Sequence, residues 1–475
     1  MTIPWAPTLA GDTPRYLALA DAIAESVDVG DLNPGDRLPT HRELAKQLGV
    51  TVGTVSRGYA EAEQRGLIAG EVGRGTFVRP ARSPDPWGRV QATDEASSEE
   101  ERTPSSDAIV DLTFSLPTTL PHEGDLLART LRDISRDAHV ARFLDYHSAT
   151  ALHHQRAAAS RWLERVGLST TADDVMVTAG SQHGLNVALS AVFSSGQTLL
   201  TGALTYPSIK SQARALGLRL QGLELDHEGV TPESLEQACV KEPKAAGLYL
   251  VPTLQNPTVA TMSTSRRRDI ARLAKKYDLW IIEDDIHAFL PERPYVPIAA
   301  EAPEKTIYLS SVGKCLAPGL RTGYAVAPVS VRGRLVAAIH STIWMAAPLM
   351  AELTTRWIAS GVADSLIAAK RRESAQRHAL VKRYLASAPH GTTLRSSPSS
   401  YHYWLELPEP LHADDIVAQA GRRGVHLLGA GAFAVGRRHI PHAIRFCTGQ
   451  PSRSALERGL AALVDVLLGG GTPAY

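Results

Sequence analysis

The sequence predicts two domains, a small α+β domain at the N terminus and a larger α/β domain after it. The chain has 475 residues, which is more than one ordinary domain holds. A stretch rich in Ser, Pro, Glu and Asp interrupts it at residues 80–107, and after this stretch short apolar runs alternate with amphipathic helical patterns. We therefore assign residues 1–79 to the first domain, 80–108 to a flexible linker and 109–475 to the second domain.

The first domain is predicted to contain three helices. Arg15–Glu25 has apolar residues at helical spacing. A Pro-Gly pair at residues 34–35 then marks a turn, after which Thr40 can cap the helix in HRELAKQLGV. Gly49 separates this helix from a second amphipathic helix that starts at Thr51. A short helix, a tight glycine turn and a second helix together match the helix-turn-helix pattern.

The end of the first domain predicts a two-stranded wing, because LIAGEVGRGTFV at Leu67–Val78 has two short β runs around a Gly-Arg-Gly turn. The segments GDRLPTHRELAKQLGV, TVSRGYAEAEQRGLI and GRGTFV, in this order, resemble the GntR-type winged helix-turn-helix. The resemblance implies that the second helix of the motif enters the major groove of DNA. The residues that it places at the DNA are Arg42, Thr51, Thr54, Ser56 and Arg57, with Arg74 of the wing near a phosphate or the minor groove.

The net charge of this domain does not by itself predict DNA binding. The formal net charge of the chain is +1, and between residues 13 and 80 eight Arg or Lys stand against nine Asp or Glu. Between residues 37 and 57, however, four basic residues accompany the single Glu43, so the predicted DNA face is locally basic. These four are Arg37, Arg42, Lys46 and Arg57.

Residues 80–107 are predicted to form the linker because they contain little that can be buried. Such a composition cannot offset the entropy lost on ordering the chain. A long surface loop of a single domain is the alternative, but loops of this length without regular structure are uncommon in compact domains.

Composition also limits the class of protein. Hydrophobic residues make up 44% and charged residues 21%, which is ordinary for a soluble globular chain. No apolar run reaches the roughly 20 residues of a membrane-spanning helix, and the first residues lack the features of a secretory signal. The three cysteines, Cys239, Cys315 and Cys447, are too few and too scattered for a disulfide framework or a zinc site. We expect a cytoplasmic protein without a bound metal.

The second domain is predicted to hold a mostly parallel sheet covered by helices on both faces. Short apolar runs bounded by Gly, Pro or Asp indicate buried strands, and amphipathic stretches such as Arg266–Tyr277 lie between them. The predicted strands are Val175–Thr178, Thr198–Thr201, Leu248–Val251, Leu279–Ile282 and Thr306–Leu309.

The first candidate for chemistry in this domain is Lys314, in the segment IYLSSVGKCLAPGLRTGYAV. A lysine beside the end of a strand suits a Schiff base with an aldehyde cofactor, because partial burial lowers its pKa toward the neutral amine. Ser311 and Arg321 lie on either side of it in the sequence and can hold a phosphate group.

Three upstream segments complete the candidate site. LWIIEDDIHAF places Asp284 and Asp285 at the end of an apolar strand, where a carboxylate needs a positive partner such as a protonated pyridine nitrogen. Asn256, in LVPTLQNPTVA, offers its side-chain amide to a phenolate oxygen. Ser181 and Gln182 begin a helix after a strand, and the free N–H groups there can cradle a phosphate.

In their order and spacing these motifs resemble fold-type I aminotransferases from about Asp111 to Leu468. The resemblance implies pyridoxal 5′-phosphate as the cofactor, Lys314 as its covalent anchor and catalytic residue, and Asp284 rather than Asp285 as the partner of the pyridine nitrogen. The resemblance also implies that Asn256 contacts the cofactor O3′, that Tyr206 stacks on the ring and that Arg445 binds a substrate carboxylate. It implies that Tyr146 reaches across a dimer to the neighbouring phosphate. The implied phosphate contacts within the subunit are Ser181, Gln182, Ser311 and Arg321.

The sequence departs from the family pattern in three places. The usual tyrosine after Asp284 is absent, and the candidate positions hold Ile286 and His287. His287 can replace its hydrogen bond to O3′ only in the right tautomer, and we expect the effect to be pH-sensitive. Val259 stands where glycine usually follows Asn-Pro-Thr, and the glycines usual soon after the Tyr146 position are missing. We expect these changes to impair transamination more than cofactor binding.

A GntR-type domain joined by a linker to an aminotransferase-like domain is the architecture of the MocR subfamily of regulators, which this chain resembles over essentially its whole length. The resemblance implies a head-to-tail homodimer that binds an operator in double-stranded DNA and senses an amine, an amino acid or a B6 vitamer, including pyridoxal phosphate itself. We predict a transcription regulator that depends on pyridoxal phosphate. The alternatives are a working aminotransferase that carries a DNA-binding module, and a structural dimerisation domain that has lost its cofactor.

Overall fold

A computed structural model describes residues 14–29, 31–33, 35–65, 67–71, 75–78, 109–242, 244–436 and 440–469, together with Trp5, Pro7 and Leu9. The chain divides into two compact units, and along the sequence they meet between Thr103 and Pro104. This point lies in the predicted linker, whose residues 80–108 are outside the described ranges.

The N-terminal unit has the predicted helix-turn-helix. Thr40 caps the first helix of the motif through a capping box, in which Oγ1 of Thr40 accepts from the Glu43 N–H and Oε2 of Glu43 accepts from the Thr40 N–H at 2.9 Å. Gly49 ends this helix at φ 63°, a conformation that favours glycine, and Thr51 caps the next helix. The three helices are α1 (Arg15–Val29), α2 (His41–Leu48) and α3 (Val52–Gln64).

Helix α3 packs closely on α1, and Gly58 permits this approach. A Cβ at Gly58 would lie 2.8 Å from Cδ2 of Leu19, so a larger residue would push the two helices apart. The core beneath the motif is made of buried side chains from all three helices, including Leu19, Leu44 and Val55. Packing of its buried face on this core fixes the position of α3.

The predicted wing is confirmed in its two strands, β1 (Ile68–Glu71) and β2 (Gly75–Val78), which pair antiparallel. The turn between them, residues 72–74, lies outside the described residues, and so does the predicted DNA contact Arg74.

The C-terminal unit is built on a seven-stranded sheet that is mostly parallel, as predicted. Its order is β4-β10-β9-β8-β7-β5-β6, and only β10 runs antiparallel to its neighbours β4 and β9. The strands are β4 (Val175–Thr178), β5 (Thr198–Gly202), β6 (Arg219–Leu223), β7 (Ala245–Leu250), β8 (Trp280–Asp284), β9 (Thr306–Ser311) and β10 (Gly323–Val326).

Helices cover both faces of this sheet, which confirms the second part of the prediction. Leu199 and Ile282 face one hydrophobic cluster, whereas their chain neighbours Leu200 and Ile281 face another on the opposite side. The helices of this unit up to the end of the sheet are α4 (Glu123–Ser135), α5 (His153–Glu164), α6 (Ser181–Val192), α7 (Ser208–Ala215), α8 (Pro232–Lys241), α9 (Thr264–Lys276) and α10 (Ile298–Glu301).

A smaller antiparallel sheet follows, in the order β11-β12-β15-β14, and β13 pairs parallel with the strand β3 at the start of the unit. None of the helices in the described ranges is both long and apolar enough to cross a membrane. The remaining elements are β3 (Val110–Asp111), α11 (Val329–Ile343), α12 (Pro348–Ala359), α13 (Val362–Leu385), β11 (Thr393–Arg395), β12 (His402–Glu406), α14 (Ala413–Arg422), β13 (Val425–His426), β14 (Leu428–Gly429), β15 (Ala443–Cys447) and α15 (Arg453–Leu467).

Candidate cofactor site and DNA-binding face

The predicted cofactor residues follow the carboxyl ends of three adjacent parallel strands. Asn256 lies in the loop after β7, Asp284 is the last residue of β8, and Lys314 follows β9. The carboxyl ends of parallel strands meet at one edge of a sheet, where α/β proteins bind their ligands. The fold thus gathers residues that are far apart in the sequence.

Lys314 is half-buried, and its Nζ donates a hydrogen bond to the carbonyl oxygen of Ser115. Burial lowers the pKa of Lys314 to about 8, because the charged ammonium loses hydration. Cys447 and Asp284 oppose this lowering, whereas Arg445 reinforces it. The lysine is therefore much closer to its neutral, nucleophilic form at neutral pH than an exposed lysine.

This pKa predicts how cofactor attachment depends on pH. Only the neutral amine attacks an aldehyde, so below pH 8 the attachment rate should fall about tenfold for each pH unit, and above pH 8 it should level off. The rate is measured from the absorbance change after mixing with pyridoxal phosphate over a series of pH values. A rate that keeps rising tenfold per unit well above pH 8 would contradict the lowered pKa.

Asp284 has the surroundings expected for the partner of a pyridine nitrogen. Its side chain is buried, Oδ2 accepts from the Tyr249 hydroxyl at 2.8 Å, and Oδ1 has no hydrogen-bond partner among the described residues. Burial raises the pKa of Asp284 to about 7, although the hydrogen bond from Tyr249 opposes this. A positive group at Oδ1 would supply the missing partner and favour the carboxylate form. Tyr249 was not predicted, because the contact depends on β7 lying beside β8.

Asp285 faces a different group. Its Oδ2 lies 3.9 Å from Nη1 of Arg267, and the same Nη1 lies 3.6 Å from Oε1 of Glu283. All three side chains are buried, and Glu283 also accepts from the backbone N–H groups of Ile298 and Ala299. This arrangement favours Asp284 over Asp285 as the cofactor partner.

Arg445 and Asn256 form a polar pair in the site. Nη1 of Arg445 donates to Oδ1 of Asn256 at 3.2 Å, Nη2 donates to the Thr113 carbonyl, and the guanidinium lies 4.9 Å from the ring centre of Phe433. Because the guanidinium can only donate, Asn256 Oδ1 is the acceptor, and Nδ2 is the donor available for a phenolate oxygen. Arg445 is buried, as expected for a residue that receives a carboxylate in a dry site.

Asn256 lies in a tight loop that keeps a conformation normally adopted by glycine. The Val259 N–H donates to the Gln255 carbonyl at 2.7 Å, and the Gln255 N–H donates to the Ala260 carbonyl at 2.7 Å. Val259, the residue that departs from the family glycine, has φ 63°. Such a φ strains a β-branched residue, so the loop geometry is retained at a cost in backbone energy.

The predicted phosphate contacts lie around the N terminus of α6. Gly180 precedes this helix with φ 82°, and a Cβ there would lie 2.8 Å from Nη2 of Arg321. Ser181 starts the helix, so its N–H and those of the next residues lack helical partners and can bind an anion. Ser311 is buried at the end of β9, where its hydroxyl donates to the Thr322 carbonyl at 3.1 Å, and its phosphate contact stays a prediction. The cradle combines a cation with free N–H groups.

Gln182 and Tyr206 contact each other directly. Nε2 of Gln182 donates to the Tyr206 hydroxyl and to Oγ of Ser208 at 2.9 Å, and its Oε1 accepts from Gln212 at 2.7 Å. Burial raises the pKa of Tyr206, which keeps it a neutral phenol. These contacts indicate that Gln182 orients the Tyr206 ring, whereas the predicted phosphate contact of Gln182 stays a prediction.

His287 is buried, and its tautomer is set by the backbone. Nδ1 lies 3.3 Å from the Thr253 carbonyl and must therefore carry the hydrogen, whereas Nε2 has no hydrogen-bond partner among the described residues. Burial lowers the pKa of His287 to about 3, and the charge of Lys314 adds to this effect. The expected pH sensitivity near neutrality is therefore wrong, because burial keeps the ring neutral. The buried ring of His402, 5.6 Å away, is a neighbour that sequence patterns did not reveal.

Tyr146 is exposed over 79% of its surface and contacts Trp344, with 5.5 Å between the ring centres. Such exposure suits a side chain that meets another subunit, but its contact with a neighbouring phosphate stays a prediction.

The site fits pyridoxal phosphate. It offers an amine of lowered pKa at Lys314, a buried carboxylate oxygen without a partner at Asp284, an amide donor at Asn256 and an anion cradle at Arg321. These groups match the aldehyde, the pyridine nitrogen, the phenolate and the phosphate of this cofactor.

In the N-terminal unit, the predicted DNA residues lie along the helix-turn-helix. Arg42 on α2 and Arg57 on α3 are exposed. Thr51 also has a structural role, because Oγ1 accepts from the Thr54 N–H at 3.1 Å, and Oγ of Ser56 lies 3.2 Å from Nδ1 of His41. Contacts of these residues with DNA stay predictions.

Comparison with known protein families agrees with this two-part architecture. The family described as bacterial regulatory proteins, gntR family, matches residues 15–78. The family described as aminotransferase class I and II matches residues 121–463.

Two relatives found by sequence are named as transcriptional regulators. The HTH-type transcriptional regulator YdeF of Bacillus subtilis is 31% identical over 98% of this chain and 96% of its own length. The HTH-type pyridoxine biosynthesis transcriptional regulator PdxR of Corynebacterium glutamicum is 24% identical over 94% of this chain and 95% of its own.

Among solved structures, the kynurenine aminotransferase of Pyrococcus horikoshii, in complex with PMP, superposes with a TM-score of 0.71. It is 23% identical and covers 81% of this chain and 100% of its own, so it shows the fold. LysN, the α-aminoadipate aminotransferase of Thermus thermophilus complexed with N-(5′-phosphopyridoxyl)-L-leucine, has a TM-score of 0.67 and 25% identity, covering 76% of this chain and 92% of its own. The chain belongs to the MocR subfamily of GntR-type transcription regulators, in which a winged helix-turn-helix is joined to an aminotransferase-like domain whose cofactor is pyridoxal phosphate.

Proposed function

We propose that this protein regulates transcription by binding operator DNA through α2, α3 and the wing, and that its C-terminal unit senses an amino compound that bears a carboxylate. The observation that carries the proposal is that Lys314, Asp284 and Arg445 lie close together in a chain whose N-terminal part is a helix-turn-helix. An amine-reactive centre beside a buried arginine suits an amino acid ligand.

Pyridoxal phosphate supplies an aldehyde that bonds to amines and a ring that withdraws electrons. Lys314 would hold it covalently and give up its place to the amine of the ligand. Asp284 would hold a proton between Oδ1 and the ring nitrogen, and Asn256 Nδ2 would donate to the phenolate. Arg445 would orient the ligand through its carboxylate. Neutral His287, which has no proton on Nε2, lacks the donor that a tyrosine hydroxyl would provide there.

A homodimer completes the proposal. Tyr146, Leu144 and Trp344 are exposed over 79%, 89% and 47% of their surfaces, and Ile343, which precedes Trp344 in the sequence, is exposed over 38%. Apolar side chains exposed to this degree are typical of surfaces that another subunit covers. A two-fold dimer would place Tyr146 at the neighbouring site and present two helix-turn-helix motifs to two half-sites of DNA in the cytoplasm.

The test is DNA binding under ligand control. Duplexes selected by the full-length protein from a random library are titrated with the protein alone, with pyridoxal phosphate, and with pyridoxal phosphate plus each common amino acid. We expect the cofactor or one amino acid to change the affinity by about tenfold, a typical coupling between two sites. Failure to select any duplex would refute DNA binding. Transfer of the amino group to an oxo acid at ordinary enzyme rates, with unchanged DNA affinity, would instead favour a working aminotransferase.

A further inference from the structure

The segment through which the chain enters the C-terminal unit contacts the two basic residues that the proposed function assigns to the cofactor and to the ligand. Residues 112–118, called here the 112–118 segment, directly follow β3. The carbonyl oxygen of Thr113 accepts from Nη2 of Arg445, and that of Ser115 accepts from Nζ of Lys314. We propose that these carbonyl groups compete with the cofactor for Lys314 and with the carboxylate of the ligand for Arg445, so that binding at either residue loosens the middle of the segment. This inference rests on the proposed function.

Both ends of the segment are held by other groups. At its start, the Leu112 N–H donates to the His426 carbonyl at 3.1 Å. At its end, Nζ of Lys370 donates to the Thr118 carbonyl at 2.6 Å and also pairs with Glu123. Loss of the contacts to Lys314 and Arg445 would therefore loosen the middle of the segment without detaching it from the domain, because the Thr113 N–H also donates to Oδ1 of Asp111 at 2.8 Å.

The middle of the segment fits tightly against the chain beyond β15. A Cβ built on Gly449 would lie 1.8 Å from the Leu116 carbonyl oxygen, so the segment can occupy this position only because residue 449 is glycine. The Ser115 side chain is buried, and its hydroxyl lies 3.4 Å from Nδ1 of His402. The close fit means that a shift of Ser115 must also move Leu116.

The cofactor can displace the Ser115 carbonyl from Lys314, and a ligand carboxylate can displace the Thr113 carbonyl from Arg445. When Lys314 bonds to the aldehyde carbon of the cofactor, its ammonium first releases one proton to solvent, and the other two leave with the aldehyde oxygen as water. The ammonium that donated to Ser115 then no longer exists. At Arg445, a ligand carboxylate is charged and can accept two parallel hydrogen bonds, which makes it a stronger partner than the single neutral carbonyl of Thr113.

This competition would connect the ligand site to the linker. The predicted linker ends at residue 108, so the 112–118 segment is the first part of the C-terminal unit after β3. Cofactor bonded to Lys314 and a ligand carboxylate at Arg445 each favour the conformation in which the carbonyl group they replace is released, and by linkage any change that weakens the segment's contacts must strengthen their binding.

Hydrogen–deuterium exchange on the full-length protein tests the proposal, with cofactor binding and DNA affinity measured in the same samples. We expect the exchange rate in peptides covering residues 112–118 to rise about tenfold when pyridoxal phosphate binds. One hydrogen bond to a charged group stabilises a local structure by about this factor in its opening equilibrium. The exchange rate of the β4 strand should stay unchanged. Bound cofactor that alters DNA affinity without faster exchange in the segment would overturn this inference and leave the proposed function standing. Absence of any cofactor binding would overturn both.

A variant provides an independent measurement. Gly449→Ala should displace the segment from its position and lower the Kd for pyridoxal phosphate by about tenfold, because the competitor is weakened. Gly333→Ala is the matched control, because a Cβ there meets nothing within 4 Å and the residue is exposed on α11. Folded Gly449→Ala protein with an unchanged or higher Kd would contradict the competition. If this variant does not fold, the exchange experiment on the natural chain still decides.

Discussion

Replacing Lys314 by alanine is expected to abolish covalent attachment of pyridoxal phosphate while leaving weaker, noncovalent binding. The covalent bond requires a neutral amine in the site, and burial lowers the pKa of Lys314 to about 8. Asp284, Asn256 and the phosphate cradle remain in the variant and can still hold the cofactor. The measurement is the mass of the protein after borohydride treatment, followed by mapping of the labelled peptide.

Lys210→Ala is a demanding control for this experiment. Burial lowers the pKa of Lys210 to about 8 as well, so this lysine could also react with an aldehyde. Its Nζ, however, donates to the carbonyl oxygens of Ala432 and Ala434 at 2.7 and 3.2 Å, which ties it to the backbone. We expect Lys210→Ala to keep the label of the natural protein. A borohydride-stable adduct that survives in Lys314→Ala and disappears in Lys210→Ala would assign the anchor to Lys210 instead.

The second large effect is expected at the DNA-binding face, where Arg42→Ala and Arg57→Ala should each weaken DNA binding about tenfold. Both arginines are exposed on the two helices of the motif. Each phosphate contact releases counterions from DNA, so its loss should also reduce the slope of log affinity against log salt by about 1. The measurement is fluorescence anisotropy with a selected duplex at several salt concentrations.

Arg15→Ala is the matched control for the DNA-binding variants. Arg15 is an exposed arginine of the same domain at the start of α1, outside the helix-turn-helix pair. We expect its replacement to leave the salt slope nearly unchanged. If Arg42→Ala and Arg57→Ala both behave like Arg15→Ala, these two side chains do not contact DNA.

The local surroundings of the site help explain why a protein with aminotransferase residues can act as a regulator. A neutral His287 with Nε2 as an acceptor replaces the donor that the family's tyrosine provides, and Val259 strains the loop that carries Asn256. Both changes fall on groups predicted to touch the cofactor ring, and both leave Lys314 and Arg445 in place. We therefore expect cofactor binding at Lys314 to persist and transamination to be impaired.

Local patterns in the sequence determined much of this protein. Apolar runs of four residues identified strands such as Val175–Thr178, and Thr40 and Gly49 predicted the ends of α2, because capping depends on residues close together in the sequence. Part of the candidate site was also predictable, since Lys314 and Asp284 each lie within five residues of the end of a predicted strand. Some boundaries moved: β7 begins at Ala245 rather than Leu248, because pairing with β5 extends it through residues without a strong strand preference.

Only the tertiary structure decided which groups meet across long stretches of the sequence. The hydrogen bond from Tyr249 to Asp284 follows from the order of β7 and β8 in the sheet. The resemblance already favoured Asp284 over Asp285, and the position of Arg267 beside Asp285 supports that prediction. The contacts of Thr113 and Ser115 with Arg445 and Lys314 join residues about 200 or more positions apart. The spacing of apolar residues in the sequence describes one helix or strand at a time, whereas such contacts depend on how the helices and strands pack. The pKa shifts in the site depend on burial, which only the complete fold creates.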